Sequence, residues 1–251
     1  MPRPVPPQVI PRPTTWVAGN EAPWARLSPA ERTGIGVARV LAALSAHGQR
    51  GQVPAGVGIA DDLGSSVVLN ESSAPPTRRN AAVLAVLFEE AGEARVILTR
   101  RASSLRSHRG EVSFPGGRLD PGEDAPTAAL REAYEEIALT PGQVSLEGWI
   151  HPVMTVVSAS LIIPLVATVP GRPHVVASPD EVERVFDVAL RDLADPRIFH
   201  EERWSFPGSP VPGSPDGSFA VWFFEVEGEM IWGATARMIH ELLRVILLPA
   251  D

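Results

Sequence analysis

The chain has 251 residues, 44% apolar and 21% charged. This ordinary globular composition excludes a collagen, a disulfide scaffold and a wholly disordered chain. Cysteine is absent and the net charge is −8; this excludes thiolate nucleophiles and zinc–thiolate sites, argues against general nucleic-acid binding, and leaves oxygen or imidazole ligands for any metal. All 22 basic residues are arginine, so lysine Schiff-base and P-loop chemistry are excluded, and any bound anion must be gripped by arginine forks, backbone amides or a metal.

The N-terminus, Met1 to Thr15, is proline-rich and lacks an apolar core segment. It reads as an extended arm (residues 1–20) and not as a signal peptide. Ser28-Pro29-Ala30-Glu31 is a capping box with proline at the first helical position, which predicts a helix from Pro29 to about His47 burying Ile35, Leu41 and Leu44. Gly34 and Gly36 weaken its first turns. Gly51 to Ala74 reads as a loop with a short strand at Val67-Val68-Leu69, closing an accessory region over 21–75. The main domain, 76–251, opens with strands over Ala81–Phe88 and Arg95–Thr99 joined by a turn.

A loop over Arg101–Gly122 leads to a helix over about Asp124–Ala138. Between Glu147 and Arg172 no residue is charged. Pro152, Pro164 and four hydroxyl residues make this two strands around a loop and not a membrane span. Strands are expected near Val144–Ile150, Thr155–Val157 and Leu161–Val169, with a mixed strand and helical turn over Glu181–Leu193. A loop over Pro207–Gly217, a strand over Phe219–Val226 and a helix over about Ala234–Leu247 close the chain. Strands and helices mix without the regular alternation of a doubly wound sheet, so the class is α/β (α+β).

The informative window is Gly116 to Leu139, GGRLDPGEDAPTAALREAYEEIAL. Glu132, Glu135 and Glu136 stand three and four residues apart, on one face of the expected helix. Three like charges so close need compensation. Arg131, four residues before Glu135, neutralises part of it; a divalent cation would neutralise the rest, and hard oxygen donors select Mg²⁺ or Mn²⁺. Gly116-Gly117 lets backbone approach a metal or phosphate closely. The competing reading is a solvated acidic helix with an i,i+4 arginine partner.

From Gly117 through Glu123 and Arg131-Glu132 to Glu135-Glu136 and Leu139, the spacing resembles the Nudix box. One fixed position departs: Ala138 stands where the family has glycine. The resemblance implies a Nudix-type α/β/α sandwich around a mixed sheet, with the box as a loop-helix-loop metal site, and hydrolysis of a nucleoside diphosphate linked to another moiety. By carry-over, Glu132, Glu135 and Glu136 ligate the cation with the Gly116 carbonyl. Arg131 orients a carboxylate. Gly117 and Glu123 are structural within the motif, Glu123 tying the loop to the helix.

Upstream, Ile97 to Gly117 (ILTRRASSLRSHRGEVSFPGG) resembles the extended signature of the coenzyme A pyrophosphatase branch of that family, through Leu98, Thr99, Arg101, Ala102, Arg106, Gly110, Phe114, Pro115, Gly116 and Gly117. That branch implies coenzyme A or a derivative as substrate, with 3′,5′-ADP and 4′-phosphopantetheine as products. Its substrate carries three phosphates, and with no lysine present Arg100, Arg101, Arg106 and Arg109 are the natural forks. Arg101 and Arg106 hold signature positions, and Phe114 joins them as a signature residue at the substrate. The competing reading pairs some of these arginines with Asp120 or nearby glutamates. His108 reads as a local hydrogen-bonding residue, and Trp232 as buried. Glu132, Glu181 or Glu183 is the candidate general base.

Other expectations follow. The location is the cytoplasm, with no nucleic acid or membrane as partner; a homodimer is left open. Three alternatives stand: another diphosphate substrate such as ADP-ribose or NADH, a silent nucleotide-binding module, and a protein that chiefly binds a partner through its proline-rich arm.

Overall fold

The computed structural model describes residues 8, 10–53, 58–60, 66–68, 80–105, 108–155, 160–205 and 218–250. In chain order the strands are β1 (Trp16–Ala18), β2 (Gly58–Ala60), β3 (Ser66–Val68), β4 (Asn80–Glu90), β5 (Glu93–Arg101), β6 (Val112–Ser113), β7 (Gly116–Arg118), β8 (Ser145–Trp149), β9 (Val153–Met154), β10 (Leu161–Thr168), β11 (Val182–Ala189), β12 (Phe199–Ser205), β13 (Ser218–Val226) and β14 (Glu229–Trp232). The helices are α1 (Val37–Ala46), α2 (Ala125–Ile137), α3 (Leu190–Leu193) and α4 (Gly233–Leu247).

The main sheet runs β11-β5-β4-β10-β8, with β6, β7 and β9 paired along β5, β4 and β10. It is mixed: β10 lies parallel to β4, whereas β5 and β7 are antiparallel to it. The unbroken apolar run of β4 is explained by burial on both faces. Ala82, Leu84, Val86 and Phe88 pack toward α2, with Ala129, Ala133 and Ile137. Val83, Ala85 and Leu87 pack toward α1 and α4, with Val40, Leu44, Ile239 and Leu243. A second antiparallel sheet, β1-β12-β13-β14, lays Trp222, Phe224 and Val226 against this same α4 layer. The architecture is therefore helix, mixed sheet, helix.

The first helix begins later than its capping box suggests. The Ser28–Glu31 box does form, with the Ser28 amide donating to Glu31 at 2.8 Å, but it closes only a turn. Gly34, at φ +63°, then breaks the path. The start at Val37 is set by the β4–β5 hairpin instead. Glu89 accepts from the Val37 amide at 3.0 Å, and Glu93 from the amides of Gly34 and Ile35 at 3.2 Å. Carboxylates at a helix N-terminus complete its unpaired amides. Ile35 and Leu44 are buried as expected, and Leu41 packs on the core in part.

The charge-free stretch carries the end of β8 and then β9 and β10, and among the described residues no helix is long and apolar enough to cross a membrane. Most of the strand expected at Thr155–Val157 lies outside the described residues, as do 158–159, Leu69 and the expected loop over 207–217; β9 stands just before it, at Val153–Met154. The expected loop over 101–122 contains β6 and β7, and four whole strands, β1, β2, β12 and β14, lie where the sequence announces none. β12 hid because two of its buried residues are Glu201 and Glu202. Glu201 accepts from the Trp222 indole at 3.0 Å; Glu202 accepts from the Trp204 indole at 2.7 Å and pairs with Arg12 at 2.8 Å.

Candidate active site

Helix α2 is cut out by its own ends. Asp124 caps it, accepting from the Thr127 amide at 2.9 Å, with proline in the first turn. Ala138 ends it in the left-handed conformation, φ 56° and ψ 26°. Alanine thus keeps the backbone that the motif glycine would adopt, at the cost of a crowded Cβ. With Ala128, Ala129, Ala133 and Ile137 buried against the sheet, Arg131, Glu132 and Glu135 fall on the side facing β7 and the loop before the helix, and Glu136 lies beneath them.

Arg131 organises this face. It makes two bonds of 3.0 Å to Glu123, one each to Glu132 and Glu135, and one to the Arg118 carbonyl. Glu123 also accepts from the Asp120 amide at 2.9 Å. The Arg131 guanidinium, then the Asp120 amide, hold its carboxyl below the usual range. The loop is thereby tied to the helix.

The carboxylates differ in environment. Glu136 is only 2% exposed, and burial pushes it up to about 7 against the opposing pull of the Gly116 amide at 3.1 Å and of Arg101. Burial likewise raises Glu132; its bond to Arg131 works against this, and Glu135 and Glu181 add repulsion. The Glu135 side chain is 52% exposed. The Glu181 charge is felt at both Glu132 and Glu136. Glu181 is held there by backbone: its carbonyl accepts from Ala102 at 2.8 Å, and the Ser178 amide binds the Glu136 carbonyl at 2.8 Å.

The glycine pair has two separate jobs. Gly116 sits at φ +149°, and a Cβ there would run into the β4 backbone at Ala82 and Val83. A Cβ on Gly117 would come inside 3.0 Å of the Glu132 carboxylate, so this backbone passes directly over that group. Hard oxygen donors, two of them with raised affinity for protons through burial and mutual repulsion, lie beside a backbone bared of side chains; this donor set fits a divalent cation. Among the described residues no three such groups converge on one point; one nitrogen of Arg131 bridges Glu132 and Glu135, and the Gly116 amide and Arg101 reach Glu136.

Strand alternation sorts the arginines. Ile97 packs with the α2 layer, so Thr99 and Arg101 share its face; Val96 and Leu98 pack with the α4 layer, so Arg100 shares theirs. Arg101 approaches Glu136 at 3.7 Å. Arg100 is buried on the other face, bonded to Glu229 of β14 and 3.5 Å from Glu183. Its expected role as a phosphate fork is therefore corrected: its charge joins the two sheets. Phe114 is corrected too, being fully buried in the core with Leu98 and Val112, out of a substrate's reach. Arg109 is exposed, its Nε donating to the Leu105 carbonyl. Arg106 lies outside the described residues. His108 bonds Glu111 at 2.9 Å. Trp232 is partly buried beside Trp204, 6.2 Å between rings. Sequence reasoning missed the Arg101–Glu136 contact, and the signal lay in extending the β5 alternation two residues further.

Residues 78–207 match the family model described as NUDIX domain. The "Uncharacterized Nudix hydrolase NudL" of Citrobacter koseri is 36% identical over 167 residues, covering 66% of this chain and 81% of that protein. That of Enterobacter sp. is 37% identical over 170 residues, with the same coverage. A crystal structure of a Nudix hydrolase from M. smegmatis, RenU, aligns with TM-score 0.41 and 24% identity over 47% of this chain and 74% of that one. With a domain match over more than half of its length and relatives this similar over most of theirs, the chain belongs to the Nudix hydrolase family.

Proposed function

We propose that this Nudix hydrolase cleaves the pyrophosphate of coenzyme A or a derivative, giving 3′,5′-ADP and 4′-phosphopantetheine, with Mg²⁺ or Mn²⁺ as cofactor. The observation that carries the reading is Glu132 and Glu136, crowded and partly or wholly buried beneath Gly116-Gly117 with Arg101 on the same face. The narrower choice of coenzyme A is supported by the signature residues Leu98 to Gly117 that bring Arg101 there.

Glu132, Glu135, Glu136 and the Gly116 carbonyl would hold the cation. When bound, it would polarise a phosphoryl oxygen and lower the pKa of an attacking water. Arg131 keeps the helix face and the loop in register through Glu123. Arg101, with Arg109 and Arg106 of the adjoining loop, supplies positive charge for the phosphates. Glu181, whose charge acts on both Glu132 and Glu136, would take the water's proton, since Glu183 lies 3.5 Å from Arg100. In this reading catalysis belongs to residues 76–251, with 1–20 and 21–75 accessory to it, and the protein works in the cytoplasm.

The test is incubation of purified protein with coenzyme A and Mg²⁺ or Mn²⁺, with chromatography for 3′,5′-ADP. Metal-dependent product is expected, and Glu136→Gln should lower turnover at least about a hundredfold while the protein still folds. Turnover of ADP-ribose or NADH in preference to coenzyme A would move the substrate while leaving the site. Near-normal turnover by Glu136→Gln would remove Glu136 from the metal.

A further inference from the structure

Two cations reach the carboxylates of this site, Arg131 and Arg101, and they are not equally fixed. Arg131 is locked by five hydrogen bonds to four residues. Arg100 is buried on the opposite face against Glu229. Arg101 is different. Its backbone is pinned on both sides, its amide donating to Glu111 at 2.9 Å and its carbonyl accepting from Gly110 at 3.2 Å. Its side chain is partly exposed and reaches Glu136 through one contact of 3.7 Å, too long for a hydrogen bond. Its Nε is covered and has no hydrogen-bond partner among the described residues. A guanidinium presents five donors in a fixed fork, and here most of that capacity is unspent. Glu136, by contrast, is one of the most deeply buried carboxylates in the protein and needs a counter-charge.

We propose that Arg101 is a placeholder cation: it neutralises Glu136 in the metal-free protein, and metal binding releases its guanidinium to the diphosphate of the substrate. A divalent cation bound by Glu136 would take over the charge that Arg101 compensates and repel its guanidinium, whose single contact of 3.7 Å is not secured by hydrogen bonds as those of Arg131 are. The anchored backbone of β5 keeps the freed side chain at the site. Metal and nucleotide binding are thereby coupled: the metal liberates the fork that the phosphates then use, and by linkage nucleotide tightens metal. This rests on the metal site proposed above, and the experiment separates the two.

Mn²⁺ binding by the full chain is titrated by the loss of the free-ion electron paramagnetic resonance signal, with and without adenosine 5′-(α,β-methylene)diphosphate, a non-hydrolysable diphosphate whose own Mn²⁺ binding is measured separately and subtracted, for wild type, Arg101→Gln, Arg101→Lys and Glu136→Gln. The arginine Nε–H resonances are followed by NMR in parallel, that of Arg101 being assigned by its absence from the variants. Wild type should bind Mn²⁺ and show mutual tightening with the methylene diphosphate of about tenfold or more. Arg101→Gln should bind Mn²⁺ several-fold tighter alone, with most of the mutual tightening lost; Arg101→Lys, which keeps the charge, should restore part of it. The Arg101 resonance should move on adding Mn²⁺ and again on adding nucleotide. Unchanged coupling in Arg101→Gln, or an Arg101 resonance that ignores Mn²⁺, overturns the inference while the metal site stands. Mn²⁺ binding that is absent from wild type, or unaffected by Glu136→Gln, overturns the metal site and the inference with it.

Discussion

Ala138 carries a small, measurable strain. It holds the left-handed conformation that closes α2, where an L-residue with a Cβ is crowded and glycine is not. Ala138→Gly should therefore stabilise the protein by about 0.5–1 kcal/mol, raising the melting temperature by about 2–3 °C; a fall in melting temperature would refute the strain. Gly117 offers the opposite case. Its missing Cβ is the space occupied by the Glu132 carboxylate. Gly117→Ala should leave the melting temperature within a few degrees but reduce turnover at least about tenfold by displacing that carboxylate, since sub-ångström misplacement at a reacting centre is costly. Steady-state kinetics beside a thermal melt would separate these effects. Both residues were marked by the spacing of the motif; what each one touches was not.

At the scale of elements, the two sheets meet through charge as well as apolar packing. Arg100 of β5 and Glu229 of β14 form a buried pair, extended to the surface by Arg184 and Glu227. Removing one member leaves a buried charge unpaired, so Arg100→Met should cost about 3–5 kcal/mol in chemical denaturation, whereas the double variant with Glu229→Met should recover most of it. Equal losses in the single and double variants would show that the pair is not a unit. β5 and β14 also show why sequence legibility was uneven. The apolar run of β4 and the periodicity of α2 and α4 declare themselves over a short window. β12 and β14 do not, because their buried positions include Glu201, Glu202 and Glu229, whose partners Arg12, Trp222 and Arg100 come from distant segments.

Across the whole molecule, acid stability depends on the joint between α4 and the second sheet. His240 stacks on Trp222 at 4.6 Å and lies 5.3 Å from Trp24 and 5.8 Å from Phe199. Burial brings its pKa down to about 4, with Arg244 and Arg237 adding to the effect and Glu241 opposing it. Between its unfolded value of 6.5 and the folded value of about 4, the unfolded chain holds the extra proton, so stability is present above this window and is lost as pH falls through it. The loss should be about 3 kcal/mol between pH 7 and 4. Burial alone would raise the neighbouring Glu241, but bonds from His151 and Arg244 outweigh it and hold it at about 2, so its own contribution is lost further down, between 4.5 and 2. Urea midpoints at pH 7 and 4 should show His240→Phe losing far less than wild type; equal loss would place the acid sensitivity elsewhere.

The sequence by itself determined what is local. Spacing along one helix placed Glu132, Glu135 and Glu136 together, and Asp124, Ala138 and the glycine pair bounded that helix and its loop; these depend on residues a few positions apart, whose geometry the backbone dictates. Family membership was legible for the same reason. Tertiary structure alone decided the rest. It turned Arg100 and Arg101, neighbours in the chain, to opposite faces of the sheet and so to different work. It sealed Phe114 in the core and started α1 where Glu89 and Glu93 of a later hairpin could cap it. It also tied the segment before β11 to the end of α2, the Ser178 amide donating to the Glu136 carbonyl at 2.8 Å, so that the charge of Glu181 acts on the helix carboxylates. Each of these outcomes depends on a partner tens of residues away, and burial and charge compensation act only once the fold has brought such partners together.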